Sequence, residues 1–234
     1  MKFEVEVPGT PEQVWDAIAT GPGISAWFIP ADVDETTVTH HYGPGMSADS
    51  PIIAAEKPHR FAFDDGQSGA TEFLVEARSG GTCVVRVVVA NFTDDGAEAG
   101  WTTALLSLRV YMEHFTGRAA APIIAGGVVK GPGERAWREL LEALEADEPV
   151  VGERFEAKAG PPLAGVVEGR TETTAIVRLD APAPGIGFIG TGGPGDEEVF
   201  SFLRASLFGD DRDALAARDE PRWRELLPSG ARTP

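Results

Sequence analysis

The most informative stretch of the sequence is Gly100-Trp101-Thr102-Thr103-Ala104-Leu105-Leu106-Ser107-Leu108-Arg109-Val110-Tyr111-Met112-Glu113-His114-Phe115-Thr116-Gly117-Arg118. Its apolar residues recur at spacings of three and four, the repeat of one face of an α-helix. The pattern therefore predicts a long amphipathic helix from about residue 100 to 118. Just before it, the apolar run Cys83-Val84-Val85-Arg86-Val87-Val88-Val89 predicts a strand over 82–91.

The residues further towards the N-terminus predict one strand, two helices and a series of strands. Phe3, Val5 and Val7 alternate with polar residues, which indicates a half-buried strand. Thr10, with Pro11 after it, predicts a helix start, and 21–23 (Gly-Pro-Gly) is interpreted as its end, before a short helix at 24–28. Further strands are predicted over 36–42, 52–56, 60–63 and 71–77, with a loop over 43–50. Strands that follow one another in the chain favour an antiparallel sheet, here curved around the 100–118 helix in an α+β fold.

The C-terminal half repeats this order in a shorter form. Strands are predicted over 123–130, 152–158, 163–168, 174–179 and 186–191, and helices over 134–146, 197–208 and 211–227. We interpret residues 119–122 as a linker between two domains, 1–118 and 119–234. The similar settings of Trp15 and Trp137 favour a degenerate duplication. The alternative is an unrelated α+β extension packed on the first domain.

Charge and cysteine content exclude several classes of function. With 20 Lys and Arg against 37 Asp and Glu, the 234-residue chain has a formal net charge of −17. A protein that binds nucleic-acid phosphates needs a basic surface, and anionic membranes repel an acidic chain, so we expect neither partner. The single cysteine, Cys83, lies in an apolar run and is expected to be buried and free. The N-terminus lacks the apolar core of a signal peptide, so we expect a cytoplasmic protein.

No motif of the sequence predicts a cofactor, a metal or a catalytic group. The glycine-rich run 185–195 has no lysine or arginine near it, so a turn is expected rather than a phosphate loop. His40 and His41 are adjacent and would point to opposite faces of a strand, which is poor geometry for a shared metal. There is no Gly-x-Ser-x-Gly elbow of the hydrolase type.

Four motifs of the N-terminal half resemble a known family. They are Thr10-Pro11-Glu12-Gln13-Val14-Trp15-Asp16-Ala17-Ile18 with Trp27-Phe28, then Glu56-Lys57-Pro58-His59-Arg60-Phe61-Ala62-Phe63, Gly80-Gly81-Thr82-Cys83-Val84-Val85, and Gly100-Trp101. In this order they are similar to the Hsp90-ATPase-activator-homologue-like (AHSA1-like) branch of the START/Bet v 1 (SRPBCC) superfamily. The resemblance implies a helix-grip fold over 1–118, with a hydrophobic cavity beneath its C-terminal helix. The order strand, helix, strands, helix of the second half matches a shortened helix-grip-like domain. The resemblance implies no shared set of catalytic residues.

Apolar and aromatic residues of the first domain are the candidates for the lining of this cavity, and filling of a solid core is the alternative role for each of them. Ligand sites combine an apolar cleft with a few polar groups, for which Tyr42, His40 and Arg86 are the candidates. The full set of candidate ligand-binding residues is Trp27, Phe28, His40, Tyr42, Met46, Phe61, Phe63, Phe73, Arg86, Trp101, Leu105, Leu108 and Met112.

Three hypotheses for function follow. The leading one is binding of a small lipophilic molecule between the sheet and the 101–115 helix, with no defined catalytic activity. The second is an enzyme of cyclase or aromatase type acting on a lipophilic substrate. The third is a chaperone-regulating or other protein-interaction module, with a protein partner or a homodimer.

Overall fold

The computed structural model describes residues 1–43, 45–64, 66, 69–90, 95–192 and 197–227. The chain divides into two units, Met1–Ala119 (unit 1) and Ala120–Pro234 (unit 2), and each unit contains its own antiparallel sheet. No helix among the described residues has both the length and the apolar character needed to cross a lipid bilayer.

Unit 1 consists of a seven-stranded sheet and three helices among its described residues. The elements in chain order are β1 (Lys2–Pro8), α1 (Pro11–Ala19), α2 (Gly21–Trp27), β2 (Ala31–Val33), β3 (Thr37–Gly43), β4 (Met46–Glu56), β5 (Arg60–Asp64), β6 (Ala70–Arg78), β7 (Thr82–Val89) and α3 (Asp95–His114). The sheet order is β1-β7-β6-β5-β4-β3-β2, so the first strand pairs with the last. The long helix α3 packs along β1 and against α2. This is the helix-grip fold that the sequence predicted.

Alternation along β7 shows how the apolar strands build the inner face of the sheet. Cys83, Val85, Val87 and Val89 are buried, whereas the residues between them are partly exposed. Successive strand residues point to opposite faces, so one face of β7 enters the core even though both faces are rich in valine. Arg86 lies on the outer face.

The junction between α1 and α2 is set by one glycine. The interpretation of 21–23 as a helix end was incomplete, because α2 begins at Gly21, directly after the Thr20 cap. Thr20 accepts a hydrogen bond from the Gly23 amide, 3.1 Å away. A Cβ atom at Gly23 would overlap the carbonyl oxygen of Asp16. The two helices can therefore approach this closely only with glycine at this position.

The predicted loop over 43–50 is wrong. Residues 46–50 form the first half of β4, which pairs with β3 through His40–Ala48 and Val38–Ser50. This half of the strand is mostly polar and lacks the apolar alternation by which strands are recognised. Its stability comes from backbone hydrogen bonds to β3, a partner that the local pattern does not reveal.

In the residues that the structure describes, unit 2 repeats the connectivity of unit 1 with one helix and one strand fewer. Its elements are β8 (Ala121–Lys130), α4 (Gly133–Ala143), β9 (Arg154–Ala157), β10 (Leu163–Arg170), β11 (Thr174–Ala181), β12 (Gly185–Gly192), β13 (Glu198–Leu207) and α5 (Arg212–Leu226). The sheet order is β8-β13-β12-β11-β10-β9, so again the first strand pairs with the last. The closing helix α5 packs against β8. The prediction of a shortened helix-grip-like second half is confirmed.

The predicted helix over 197–208 is wrong, because this segment is strand β13. Val199, Leu203 and Leu207 are buried and are spaced by four residues, which fits both the helical repeat and the alternation of a strand. Phe200 and Phe202 lie on the other face, with ring centroids 6.2 Å apart. The backbone of β13 pairs with β12 on one side and β8 on the other, and these non-local hydrogen bonds decide the structure. Gly193 to Gly195 of the glycine-rich run lie outside the described residues; the described part up to Gly192 ends β12.

Candidate ligand-binding site

A continuous cluster of rings lies on the inner face of unit 1. Phe28 of the α2–β2 connection stacks on Trp101 of α3, with centroids 5.7 Å apart and planes 15° apart. Trp101 also meets Phe73 of β6 edge to face at 5.9 Å. Phe73 in turn lies 6.4 Å from Phe63 of β5. Offset and edge-to-face ring pairs at such distances attract each other, so the strands, α2 and α3 are joined here by aromatic contacts.

The imidazole of His40 belongs to the same cluster. It is 5% exposed, and its ring centroid lies 5.6 Å from Phe63, 6.0 Å from Phe28 and 6.3 Å from Tyr42. His41 points the opposite way, as predicted, and its Nε2 lies 2.9 Å from the carboxylate of Asp32. A neutral imidazole has one donor and one acceptor nitrogen, so His40 places a polar group next to the rings of Phe28 and Phe63.

Two buried hydrogen bonds hold α3 and α2 in place around the cluster. The Trp27 indole N–H donates to the carbonyl of Ala17, 3.0 Å away, and the Ser107 hydroxyl donates to the carbonyl of Trp27 at 2.8 Å. Leu105 and Leu108 are buried on the same helix, and Met112 lies against Gly9, beyond the end of β1. Helix α3 therefore extends from the rings at Trp101 to the β1 end of the sheet.

The ring cluster is open to solvent at one end. Phe28 and Trp101 are partly exposed. Tyr42 is 44% exposed and Met46 56% exposed, on neighbouring strands β3 and β4. Tyr42 shares the face of His40 because the two are separated by one residue, and Met46 shares the face of Ala48, the partner of His40. We call Phe28, Tyr42, Met46 and Trp101 the rim of the site.

Not every candidate residue belongs to this arrangement. Arg86 is on the outer face, where its guanidinium lies 3.4 Å from the carboxylate of Glu4, its neighbour on β1. Since Val85 and Val87 on either side of it are buried, the alternation of a strand already predicts that Arg86 points to the outer face. Phe61, by contrast, does belong to the cluster: its ring centroid lies 6.1 Å from that of Phe63, and it meets Trp15 of α1 edge to face at 5.9 Å.

Sequence reasoning missed several buried hydroxyl groups. Ser50, Thr71, Thr103 and Ser107 are buried in unit 1. Ser50 shares the face of Val38, its partner on β3, but it fell in the segment interpreted as a loop. Ser107 lies between apolar residues of α3, and its position within the buried helical face was the available signal. These hydroxyls add polar groups to the inside of unit 1.

Two further titratable groups, Cys83 and Tyr111, are buried and lie next to backbone groups of the protein. Burial raises the pKa of the Cys83 thiol, whose Sγ lies 3.4 Å from the Gly9 carbonyl. Burial also raises the pKa of Tyr111, whose hydroxyl accepts a hydrogen bond from the Gly117 amide at 3.1 Å. Both shifts favour the neutral form, as expected for groups removed from water.

The inside of unit 2 is filled by its own side chains. Trp223 of α5 is completely buried and belongs to one apolar cluster with Trp137, Leu144 and Phe155. A Cβ atom at Gly160 would lie 2.8 Å from the Trp223 ring, so the ring lies directly against the backbone there. Unit 2 thus places a tryptophan of its closing helix in its centre, whereas the rings of unit 1 extend to an open rim.

Among known proteins, the chain is similar to several solved structures. No protein-family model and no curated protein sequence matches the chain. The Aha1 dimer from Colwellia psychrerythraea is 16% identical, with a TM-score of 0.43 over 50% of this chain and 98% of that one. An AHSA1-like protein from Aeromonas hydrophila is 21% identical, with a TM-score of 0.40 over 48% and 92% of the two chains. The di-domain ARO/CYC BexL from the BE-7585A biosynthetic pathway is 14% identical, with a TM-score of 0.43 over 97% of this chain and 91% of that one.

Proposed function

We propose that unit 1 binds a small hydrophobic molecule between its sheet and α3, with the entrance at the rim of Phe28, Tyr42, Met46 and Trp101. One observation carries the proposal: Tyr42 and Met46 are exposed and Phe28 and Trp101 partly exposed, while the rings of Phe28, Tyr42 and Trp101 contact the buried His40 and Phe73 behind them. Isolated exposed apolar residues are ordinary, but a connected group on the concave side of a sheet is typical of a binding surface.

The energetics support binding at this place. Covering apolar surface contributes about 25 cal/mol for each Å² removed from water, before the costs of ordering the partners. The Phe28–Trp101 stack is already formed and is held by contacts on both sides, so little reorganisation is needed. His40 and the buried hydroxyls supply polar groups that can fix the orientation of a ligand.

The proposal assigns ligand binding to unit 1 and no ligand to unit 2. Trp223 and its neighbours fill the centre of unit 2, which leaves the apolar face of α5 occupied by the protein itself. We therefore expect one ligand for each chain.

A fluorescence titration with the neutral probe N-phenyl-1-naphthylamine tests the proposal on the full chain. Trp101→Ala and Tyr42→Ala are expected to weaken binding at least about tenfold each, the effect of losing a ring contact of about 1.4 kcal/mol. Arg86→Ala, on the outer face, is the matched control and should bind like the wild type. Tyr42 is 44% exposed, so its variant should fold even if Trp101→Ala does not. Unchanged affinity in Tyr42→Ala and in folded Trp101→Ala would contradict the proposal.

Catalysis on a lipophilic substrate is a second candidate, favoured by the buried imidazole of His40 among the rings. An imidazole in this position could give or take a proton on a bound molecule, since a neutral ring has one donor and one acceptor nitrogen. Molecules extracted from the purified protein would be incubated with wild type and with His40→Gln and followed by mass spectrometry. A mass change that requires His40 supports catalysis, and identical masses in both samples support binding alone. The protein-interaction hypothesis stays a prediction, tested by pull-down of partners and by the mass of the chain in solution.

A further inference from the structure

Three buried rings lie directly behind the rim of unit 1. Phe73 of β6 is behind Trp101, with ring centroids 5.9 Å apart. Phe73 also meets Trp27 of α2 at 6.5 Å and Phe63 of β5 at 6.4 Å. Rings at these centroid distances are in contact with each other. We call Trp27, Phe63 and Phe73 the back wall of the site.

The side chains beyond the back wall are packed on one another. Phe61 lies 6.1 Å from Phe63 and 5.9 Å from Trp15 of α1, centroid to centroid. Leu105 and Leu108 of α3 are 3% and 0% exposed. A side chain that lines a cavity large enough for water keeps part of its surface accessible, and these two keep almost none. At these positions the interior of unit 1 is therefore filled by the protein's own side chains.

The distance from the rim to buried rings is short on both sides of the site. Trp101 is partly exposed and lies one ring contact from the buried Phe73. On the strand side, the exposed Tyr42 lies 6.3 Å from the buried His40, again one ring contact. A molecule that enters at the rim therefore passes one layer of rings before it meets buried side chains.

Resting on the proposed function, we propose that the unit 1 site is shallow, so that it takes compact molecules such as a substituted naphthalene and discriminates against long-chain lipids. The rim offers offset and edge-to-face contacts to a flat ring. A long chain needs a buried channel, because each CH₂ group contributes to affinity only where it leaves water. The back wall ends the burial of such a chain after its first few carbon atoms.

A series of phenols with growing chains measures the depth of the site: 4-ethylphenol, 4-butylphenol, 4-hexylphenol and 4-octylphenol, with naphthalen-2-ol as the compact ligand. Each would be titrated into the full chain by calorimetry. In a deep cavity, the two CH₂ groups added at each step should raise affinity about fifteenfold, equivalent to about 1.6 kcal/mol. In the shallow site we expect about threefold or less for each step beyond butyl. Naphthalen-2-ol should bind at least as tightly as 4-octylphenol, although it has fewer carbon atoms.

A variant of the back wall tests whether Phe73 sets this limit. Phe73→Val opens space behind Trp101, and the gain from butyl to hexyl should rise to about tenfold, since a small apolar cavity accepts an apolar group. Phe155→Val makes the same substitution at a buried position of the unit 2 core and should leave the series unchanged. Phe73→Leu, a smaller change in the same direction, replaces Phe73→Val if circular dichroism shows that variant to be unfolded. A folded Phe73 variant with the same series as the wild type would overturn the role of the back wall.

The ligand series also distinguishes failure of this inference from failure of the proposed function. Affinity that grows about fifteenfold at every step in the wild type overturns the shallow site and leaves hydrophobic binding in place. Failure of naphthalen-2-ol and of all four phenols to bind overturns both. A limit at butyl that the Phe73 variant moves to longer chains supports both.

Discussion

Leu108 provides the sharpest test of the packing of α3 on the sheet of unit 1. Its side chain is completely buried, at 0% exposure. Replacement by alanine removes three carbon atoms, which costs about 2.4 kcal/mol in transfer free energy at about 0.8 kcal/mol for each CH₂. The cavity that remains adds a further term, so we expect Leu108→Ala to reduce the free energy of unfolding of unit 1 by about 3–4 kcal/mol.

Urea unfolding of the full chain, followed by hydrogen exchange in peptides from β5 to β7, measures this loss in unit 1 itself. With a denaturant slope of about 2 kcal/mol per molar, the midpoint should fall by about 1.5–2 M. Thr102→Ala is the control on the same helix; Thr102 is exposed, so its replacement should change stability by about 0.5 kcal/mol or less. If Leu108→Ala lowered the free energy of unfolding by less than about 1 kcal/mol, similar to the control, α3 would not be packed on the sheet as described.

Three further predictions concern other parts of the chain. Gly23→Ala should destabilise unit 1 by about 2 kcal/mol or more in urea melts, because the new Cβ would overlap the Asp16 carbonyl, whereas Gly100→Ala, with open space around it, should be neutral or stabilising. Because burial raises the pKa of Cys83, the contribution of this thiol to stability is present below the ordinary thiol pKa and is lost as pH rises through the higher pKa of the folded state. The difference in unfolding free energy between wild type and Cys83→Ala should therefore shrink above about pH 8.5. A difference that stays constant up to about pH 10 would contradict a raised pKa for Cys83. Trp223→Ala should cost unit 2 about 3–5 kcal/mol, measured by exchange in β8 and β13 peptides, and a smaller loss than 1 kcal/mol would show that the ring does not fill its core.

Most elements could be predicted because burial imposes a repeat on the sequence. The apolar spacing of α3 and the alternation of β6 and β7 arise from the side of each element that faces the core. The errors fall where this relation fails. The spacing of Val199, Leu203 and Leu207 satisfies two repeats at once, and only the pairing of β13 with β8 and β12 selects the strand.

The sequence indicated which aromatic residues belong to the candidate site, but it did not indicate how they are arranged. The aromatic residues of the inner face came from the resemblance and from apolar patterns, and the structure joins most of them into one cluster. Arg86 was assigned to the site although its strand position places it outside. The exposure of Tyr42 and Met46 could not be predicted, since it depends on where the ends of β3 and β4 lie relative to α2 and α3.

The amino-acid sequence by itself determined the excess of acidic residues, the order of most helices and strands, and the closing helix of each half, because these depend on composition and on local repeats. Only the tertiary structure decided which polar segments join a sheet, which face of a strand lies inside, and that the rings of unit 1 reach solvent while Trp223 fills unit 2. The reason is physical: strand pairing and burial bring together residues far apart in the chain, and the free energy of those contacts is not expressed in any short stretch of sequence.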